Sequence, residues 1–502
     1  MAPRVAIIGL DCAEPSLVFD RWLGDLPHLR SLVTGGAWGP LRTIDPPISV
    51  PAWSCMASSR DPGELGVYGF RNRKDHSYDG LAFADSRWVP VERLWDTLGA
   101  AGRHVITLGV PQTYPPLPVN GEQVSCFLTP DPRKHEYTYP PQLRSEIESL
   151  VGPYQVDVQN FRSDDRDRIL REIYDMTEQR FAVARHLLTT RPWDFFWMVE
   201  IGLDRIQHAF WRYLDQTHPR YEAHPRYSDA IRAYYQYLDD QLGELLETFD
   251  DETTVMVVSD HGAQPMEGGI CVNEWLVREG YLALREPPPT GGEEKLPFSR
   301  AQVDWPRTRA WGEGGYYCRL CLNVQGREPE GTVAPGDYEQ LRDELIARLE
   351  ALPGPDGQSI GTRVFRPEEL WPVRNGIAPD LIVYFGNLAW RVPAMQICRS
   401  SFCASLRALR TPSSVSGCTT RHTRAELSCE WTSLTRIVPG SAFLSGFFFP
   451  ACANVRRGHA APASEAPRKL RRLNRPTAPR PRRGRAQRRP ERLPSSAARA
   501  GG

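Results

Sequence analysis

Three short apolar runs in this sequence each deliver an acidic residue at their end. Asp11 follows the run ending at Leu10, and Asp260-His261-Gly262 follows Thr253–Ser259. After Phe195–Ile201 comes Gly-Leu-Asp204-Arg-Ile-Gln-His208. In an open parallel sheet, ligands bind at the carboxyl ends of the strands, so three strand ends would bring these groups to one edge. Carboxylates mixed with imidazoles are donors for zinc or manganese, whereas calcium and magnesium favour all-oxygen shells. Asp204 and His208 are four residues apart and share one face if a helix begins there. Asp260 and His261 are adjacent, so in a strand-end turn they can reach one metal or two. A single Asp after a strand is often only a helix cap. Three such ends argue instead for a shared metal site.

The candidate nucleophile is Ser49 in Asp45-Pro-Pro-Ile-Ser49-Val-Pro51-Ala-Trp53. Ser49 is expected as an N-cap, with Pro51 in the first helical turn. A hydroxyl at a helix start also sits where free N–H groups and the helix dipole favour an anion. A metal on its oxygen would lower the hydroxyl pKa enough for attack on phosphorus.

These residues need rigid elements to position them. Continuous apolar runs alternating with amphipathic stretches predict an α/β fold, a mostly parallel central sheet flanked by helices. Strands are expected at Arg4–Leu10, His104–Val110, Phe195–Ile201, Thr253–Ser259 and Asp380–Phe385. Helices are expected at Asp167–Thr189, Tyr227–Phe249 and Leu341–Leu352. Residues 285–335, rich in Pro, Gly and Glu, read as an insertion at the sheet's edge. Cys318-Arg-Leu-Cys321 is a single C-x-x-C pair in an alternating run, which reads as a strand rather than a metal site.

Charge divides the chain of 502 residues, although its formal net charge is zero. Residues 391–502 hold 22 Lys+Arg against 4 Asp+Glu, leaving 39 basic and 57 acidic residues in 1–390. The sequence therefore divides into a catalytic domain over 1–390, an irregular segment over 391–455 and a disordered Arg/Pro/Ala-rich tail over 456–502. The missing Asp and the enrichment in Cys and Arg after Arg391 suggest a translated wrong reading frame, which sequencing the gene around Trp390 would test. The tail lacks aromatic interleaving and a folded motif, so nucleic-acid binding is not expected. No stretch resembles a secretory signal or a membrane span, so the expectation is a cytoplasmic protein with reduced thiols.

Taken together, Gly9-Leu-Asp11, Pro46-Pro47-x-Ser49-x-Pro51-Ala52-Trp53, Gly202-x-Asp204-x3-His208 and Ser259-Asp260-His261-Gly262 resemble the type I phosphodiesterase/nucleotide pyrophosphatase group. That group belongs to the alkaline phosphatase superfamily. The resemblance spans roughly residues 4–390 and implies an alkaline-phosphatase-like sandwich with two divalent metal ions. It implies one metal on Asp11, Ser49, Asp260 and His261, and a second on Asp204, His208 and a later histidine. It further implies that Ser49 attacks a small phosphate ester to give a phospho-enzyme. Three departures stand out. Ser replaces the Thr of many relatives, and Ala52 stands where nucleotide-cleaving relatives carry Asn. The late histidine is not found, because only His422 and His459 remain downstream, in unmatched contexts. A catalytically impaired member therefore stays open, and so does a phosphoglycerate-mutase-like phosphotransferase, which would share the same metal ligands. A sulfatase is disfavoured, since Ser49-Val-Pro51-Ala-Trp53 lacks the Arg that sulfatases need.

Overall fold

Val5–Leu10 (β1) reads Val-Ala-Ile-Ile-Gly-Leu, and every residue after the first is buried. Such a run lacks alternation because both faces of the strand are covered. In the computed structural model, which describes residues 4–286 and 300–393 and the backbone of Leu296–Pro297, Gln396–Ile397 and Thr432–Arg436, β1 lies inside an eight-stranded sheet. The other strands are Ala37–Pro40 (β2), Val105–Leu108 (β3), Gly121–Val124 (β4), Thr138–Tyr139 (β5), Phe195–Glu200 (β6), Thr254–Val258 (β7) and Thr432–Arg436 (β8). Their order is β2-β8-β7-β1-β6-β3-β4-β5. β7, β1, β6, β3 and β4 run parallel, while β8 and β5 are antiparallel to their neighbours. The register pairs Leu10 with Glu200 and Gly9 with Val258, so β1, β6 and β7 end level with one another.

Successive side chains of β1 enter different cores, as strand geometry requires. Ala6, Ile8 and Leu10 pack with helices Arg166–Thr190 (α2), Gly202–Leu214 (α3) and Ala230–Leu246 (α4). Ile7 instead packs with Trp53, Trp95 and Trp197 on the other face. Trp53 belongs to helix Ser49–Ser58 (α1), which lies close to β1 because Gly9 has no side chain. A Cβ at Gly9 would meet Trp53 Cη2 at 2.5 Å and Val199 Cγ2 at 2.8 Å.

The central strands and long helices fall where their apolar patterns predict, with ends shifted by one to three residues. Two expectations need correction. The run at Asp380–Phe385 does form a strand, Leu381–Tyr384, but outside the parallel sheet. It pairs antiparallel with Cys318–Leu322 and Arg363–Phe365 in a second, four-stranded sheet completed by Ala310–Glu313. Part of the region read as an edge insertion therefore supplies two strands of this sheet. The sheet has its own core, with Leu341, Leu345 and Leu349 of the helix Tyr338–Glu350 packed among its side chains. Cys318 and Cys321 are buried, free thiols on one of its strands, as the alternating run implies. β8 falls within the segment expected to be irregular. No described helix is long and apolar enough to cross a membrane.

The last residue of β6 fastens the sheet to its helices. Glu200 is fully buried; its Oε1 accepts from the Gly202 amide at 2.7 Å and the Thr177 hydroxyl at 3.0 Å. Its Oε2 faces the buried Arg180 guanidinium at 3.3 Å. Removing one member of a buried, hydrogen-bonded pair leaves the other charge uncompensated, at a cost of about 3–5 kcal/mol. Glu200→Ala is expected to lower unfolding free energy by that amount in denaturant titration. Glu200→Gln, which keeps an acceptor for the amide and hydroxyl, should lower it less. Equal losses in the two variants would contradict this account.

Candidate active site

The helix start at Ser49 differs from the sequence expectation in a way that matters chemically. Ser49 does not cap α1: Ile48 is the N-cap, with φ −149° and ψ 144°, and its side chain makes no cap bond. Ser49 is already helical, so its hydroxyl leaves the helix instead of turning back on an N–H group. Oγ lies 3.2 Å from Asp11 Oδ1 and 2.9 Å from His261 Nε2. The first turn consequently keeps unused donors. Among the described residues, the N–H groups of Ser49 and Val50 have no acceptor; Pro51 has no N–H; and Ala52 donates to Ile48 O at 3.0 Å.

One turn further along α1, the Trp53 indole donates to Asp11 Oδ2 at 2.8 Å. Spacing of four residues puts Ser49 and Trp53 on one helix face, so α1 holds both oxygens of Asp11. The Asp11 amide donates to Glu200 O at 2.9 Å, carrying the β1–β6 pairing to the site's edge. Asp260 follows β7 by two residues. Its Oδ1 accepts from the Cys12 amide at 3.2 Å, and its main-chain oxygen accepts from the Thr43 hydroxyl at 2.7 Å. His261 Nε2 lies 3.5 Å from Asp11 Oδ1 and 3.4 Å from Asp260 Oδ2.

Asp204 and His208 share a face of α3 as their spacing predicts, with Nε2 3.1 Å from Asp204 Oδ1. The Arg205 guanidinium contacts Asp204 Oδ2 and grips both oxygens of Asp157 at 2.7 and 2.8 Å. Asp204 is buried, whereas the His208 side chain is 34% exposed. The ring of Tyr316 stacks on His208 at a centroid distance of 5.5 Å.

Burial and mutual repulsion set the charge of this cluster. Burial, followed by the like charge of Asp260, pushes the Asp11 carboxyl well above its ordinary range. Burial likewise raises Asp260 to about 6, against the pull of His261. For His261, burial disfavours the imidazolium, but Asp260 and Asp11 outweigh it and push the ring up to about 9. Asp204 goes the other way: burial opposes its ionisation, yet His208 and Arg205 hold its carboxyl below the usual range.

The structure thus gathers Asp11, Ser49, Asp260 and His261 into one set, with Asp204 close enough for its charge to act on Asp11 and His261. His208 stands beside Asp204 at the more open side. Oxygens of Asp11 and Asp260 and a ring nitrogen of His261 lie within 4.8 Å of one another, which suits a single ion. Asp260 Oδ2 is buried and accepts no hydrogen bond, so it has lone pairs to give to a cation. The donor set therefore fits a divalent metal. His422 and His459 lie outside the described residues, and no described group of three or more donors includes His208.

Sequence reasoning gave four contributors no role. Trp53 stands in the Ser49 motif, but nothing there says that it holds Asp11. Arg205 and Asp157 are joined across 48 positions. Cys12, beside Asp11, gave no spacing signal. Yet its sulfur, an oxygen of Asp204 and a ring nitrogen of His261 also lie within 4.8 Å of one another.

The model of the type I phosphodiesterase/nucleotide pyrophosphatase family matches residues 5–400. No curated protein sequence matches the chain. Among solved structures, phosphonoacetate hydrolase from Sinorhizobium meliloti 1021 in complex with phosphonoformate is similar at a TM-score of 0.51 and 17% identity, covering 88% of this chain and 92% of that one. Human ectonucleotide pyrophosphatase/phosphodiesterase 5 gives a TM-score of 0.45 at 11% identity, covering 86% and 87% of the two chains. On the extent of the family match, the chain belongs to the type I phosphodiesterase/nucleotide pyrophosphatase family, phosphate-ester hydrolases of the alkaline phosphatase superfamily.

Proposed function

We propose that this protein is a divalent-metal-dependent hydrolase of small phosphate esters in which Ser49 is the nucleophile. The observation that carries the reading is the Ser49 hydroxyl, withdrawn from capping and held by Asp11 and His261 beside two unused N–H groups. Asp11, Ser49, Asp260 and His261 would hold one ion, with Asp204 and His208 contributing to a second; zinc or manganese suits these donors. Bound there, such ions polarise phosphoryl oxygens and lower the pKa of a coordinated hydroxyl.

The chain's own residues supply the remaining chemistry. Asp11 Oδ1 orients Ser49 Oγ and accepts its hydrogen bond. The Ser49 and Val50 N–H groups face an incoming anion at the positive end of α1. Oγ attack on phosphorus forms a phosphorylated serine and releases one alcohol of the ester, which takes up the proton lost from Oγ; water then frees phosphate from a monoester, or a phosphomonoester from a diester, and restores Ser49. Trp53 and the Cys12 amide each hold one oxygen of a carboxylate, Asp11 Oδ2 and Asp260 Oδ1 respectively.

A second reading is an impaired enzyme, favoured by the exposed His208 and by the absence of a third donor grouped with it among the described residues. Metal analysis of the full chain, with hydrolysis of a generic phosphodiester and a phosphomonoester, separates the two readings. An active enzyme binds two ions per chain, and Ser49→Ala should lower turnover by ~10³-fold or more. Metal-loaded protein no faster than Ser49→Ala would establish the impaired reading.

Trp53→Phe keeps the ring but removes the indole donor to Asp11 Oδ2. Loss of such an outer hydrogen bond to a ligand weakens metal binding by about 10–100-fold. Competition with a chromophoric chelator should show that loss with the thermal midpoint nearly kept. Unchanged affinity would mean that the indole does not orient Asp11.

A further inference from the structure

The first turn of α1 carries the Ser49 hydroxyl and the two unused N–H groups, but its own cap does not hold it. Ile48 has no polar side chain, so the hydrogen bond that ordinarily fixes a helix start is missing. The orientation of the turn then depends on what grips the residues before Ser49. The second sheet does so. Its strand Leu381–Tyr384 presents two faces, as strand geometry requires. Leu381 and Val383 enter the sheet's own core, whereas Ile382 and Tyr384 pack with Tyr317, Trp371, Tyr68 and Ile48. Ile48, Trp371 and Tyr384 are all buried.

Two hydrogen bonds give this packing a direction. The Tyr384 hydroxyl donates to Asp45 Oδ1 at 3.1 Å, and the Trp371 indole donates to the Asp45 main-chain oxygen at 3.1 Å. Asp45 is thus held by its side chain and its backbone, just ahead of Ile48. Trp371 is itself fixed in place. A Cβ on Gly63 would meet Trp371 Cβ at 2.6 Å, and the Asn375 amide donates to Gly63 O at 2.8 Å. Arg42 offers Asp45 less, because its side chain is 75% exposed and stands 3.5 Å from Oδ2. From the other side, Asp11 and His261 meet Oγ itself after β1 and β7. Ser49 sits at the joint between the two sheets.

We propose that Tyr384 and Trp371 are positioning residues for Ser49. Working through Asp45 and Ile48, they do from the second sheet what a side-chain cap does within a helix. They thereby set the direction of Oγ and of the Ser49 and Val50 N–H groups, and they touch no reacting atom. The inference rests on Ser49 as the nucleophile and deepens that reading. It also gives the second sheet a task in the chemistry, because strands far from Ser49 in sequence decide how its hydroxyl meets phosphorus.

Tyr384→Phe tests this, since it removes one hydroxyl and keeps the ring in its packing. With the metal-loaded full chain and a generic phosphodiester, the variant should lose about 10-fold in kcat with KM nearly kept. Asp45→Ala should lose at least as much. Adding Tyr384→Phe to it should cost little more, because both act through one contact. Hydrogen exchange supplies a readout apart from turnover: residues 45–53 should exchange faster in Tyr384→Phe, and residues 5–11 of β1 should not. An unchanged kcat, losses that multiply in the double variant, or unchanged exchange over 45–53 overturns the positioning role and leaves Ser49 as nucleophile. Faster exchange spread equally over 5–11 marks a general loosening and overturns it as well. A wild type without Ser49-dependent turnover overturns both readings.

Discussion

Asp11, Asp204 and Asp260 are buried close to the His261 imidazole, and three carboxyl groups so placed lose their hydration and repel one another when ionised. At short range inside a protein that repulsion is worth several kcal/mol, enough to open the site if nothing opposed it. Basic groups of the chain oppose it. His208 and Arg205, the latter tied to Asp157, flank Asp204, and the His261 ring lies between Asp11 and Asp260. The sheet resists the remainder mechanically. β1, β6 and β7 are parallel neighbours ending level, so their following residues cannot separate without breaking the ladder. The Glu200 network serves the same end by clamping the last residue of β6 to α2 and α3.

The arrangement explains why a metal and a fold of this kind suit each other. Parallel strands buried on both faces give a rigid edge, and they release the chain into loops at one end only. Donors placed there are held by backbone pairing rather than by one another. A divalent ion bound at this edge would replace mutual repulsion with shared attraction, so the electrostatic load among the carboxylates would become affinity. The helix α1 adds complementary charge from outside the donor set, through free N–H groups at its start.

Much of this was legible in the sequence because the governing signals are local. A fully buried strand needs an unbroken apolar run, so the acidic residue that ends each run was visible, as were α2 and α4 from their periodicity. Asp204 and His208 were readable as a helical pair from spacing alone. What failed was non-local. Nothing in Leu381–Tyr384 says that it pairs antiparallel with Cys318–Leu322 rather than extending the parallel sheet, since both environments demand the same apolar residues. Pro, Gly and Glu in the connections disguised Ala310–Glu313 as part of an insertion. Ser49 was misplaced by one residue, because serine is so common an N-cap that the preceding isoleucine was passed over. Cys12 was invisible for a related reason: its left-handed turn, at φ 64°, normally announces itself with Gly or Asn.

Gly9 carries a further consequence. Its missing side chain leaves room that the Trp53 ring fills, beside Val199. Positions 9 and 53 are therefore two halves of one volume, and neither can drift alone. A methyl group at 9 becomes admissible only when the ring at 53 shrinks, and a smaller apolar residue at 53 has no N–H to offer Asp11. The space inside a strand with no chemistry of its own thus governs, two residues away, how the Asp11 carboxylate is held. Any redesign of α1 must begin from that glycine.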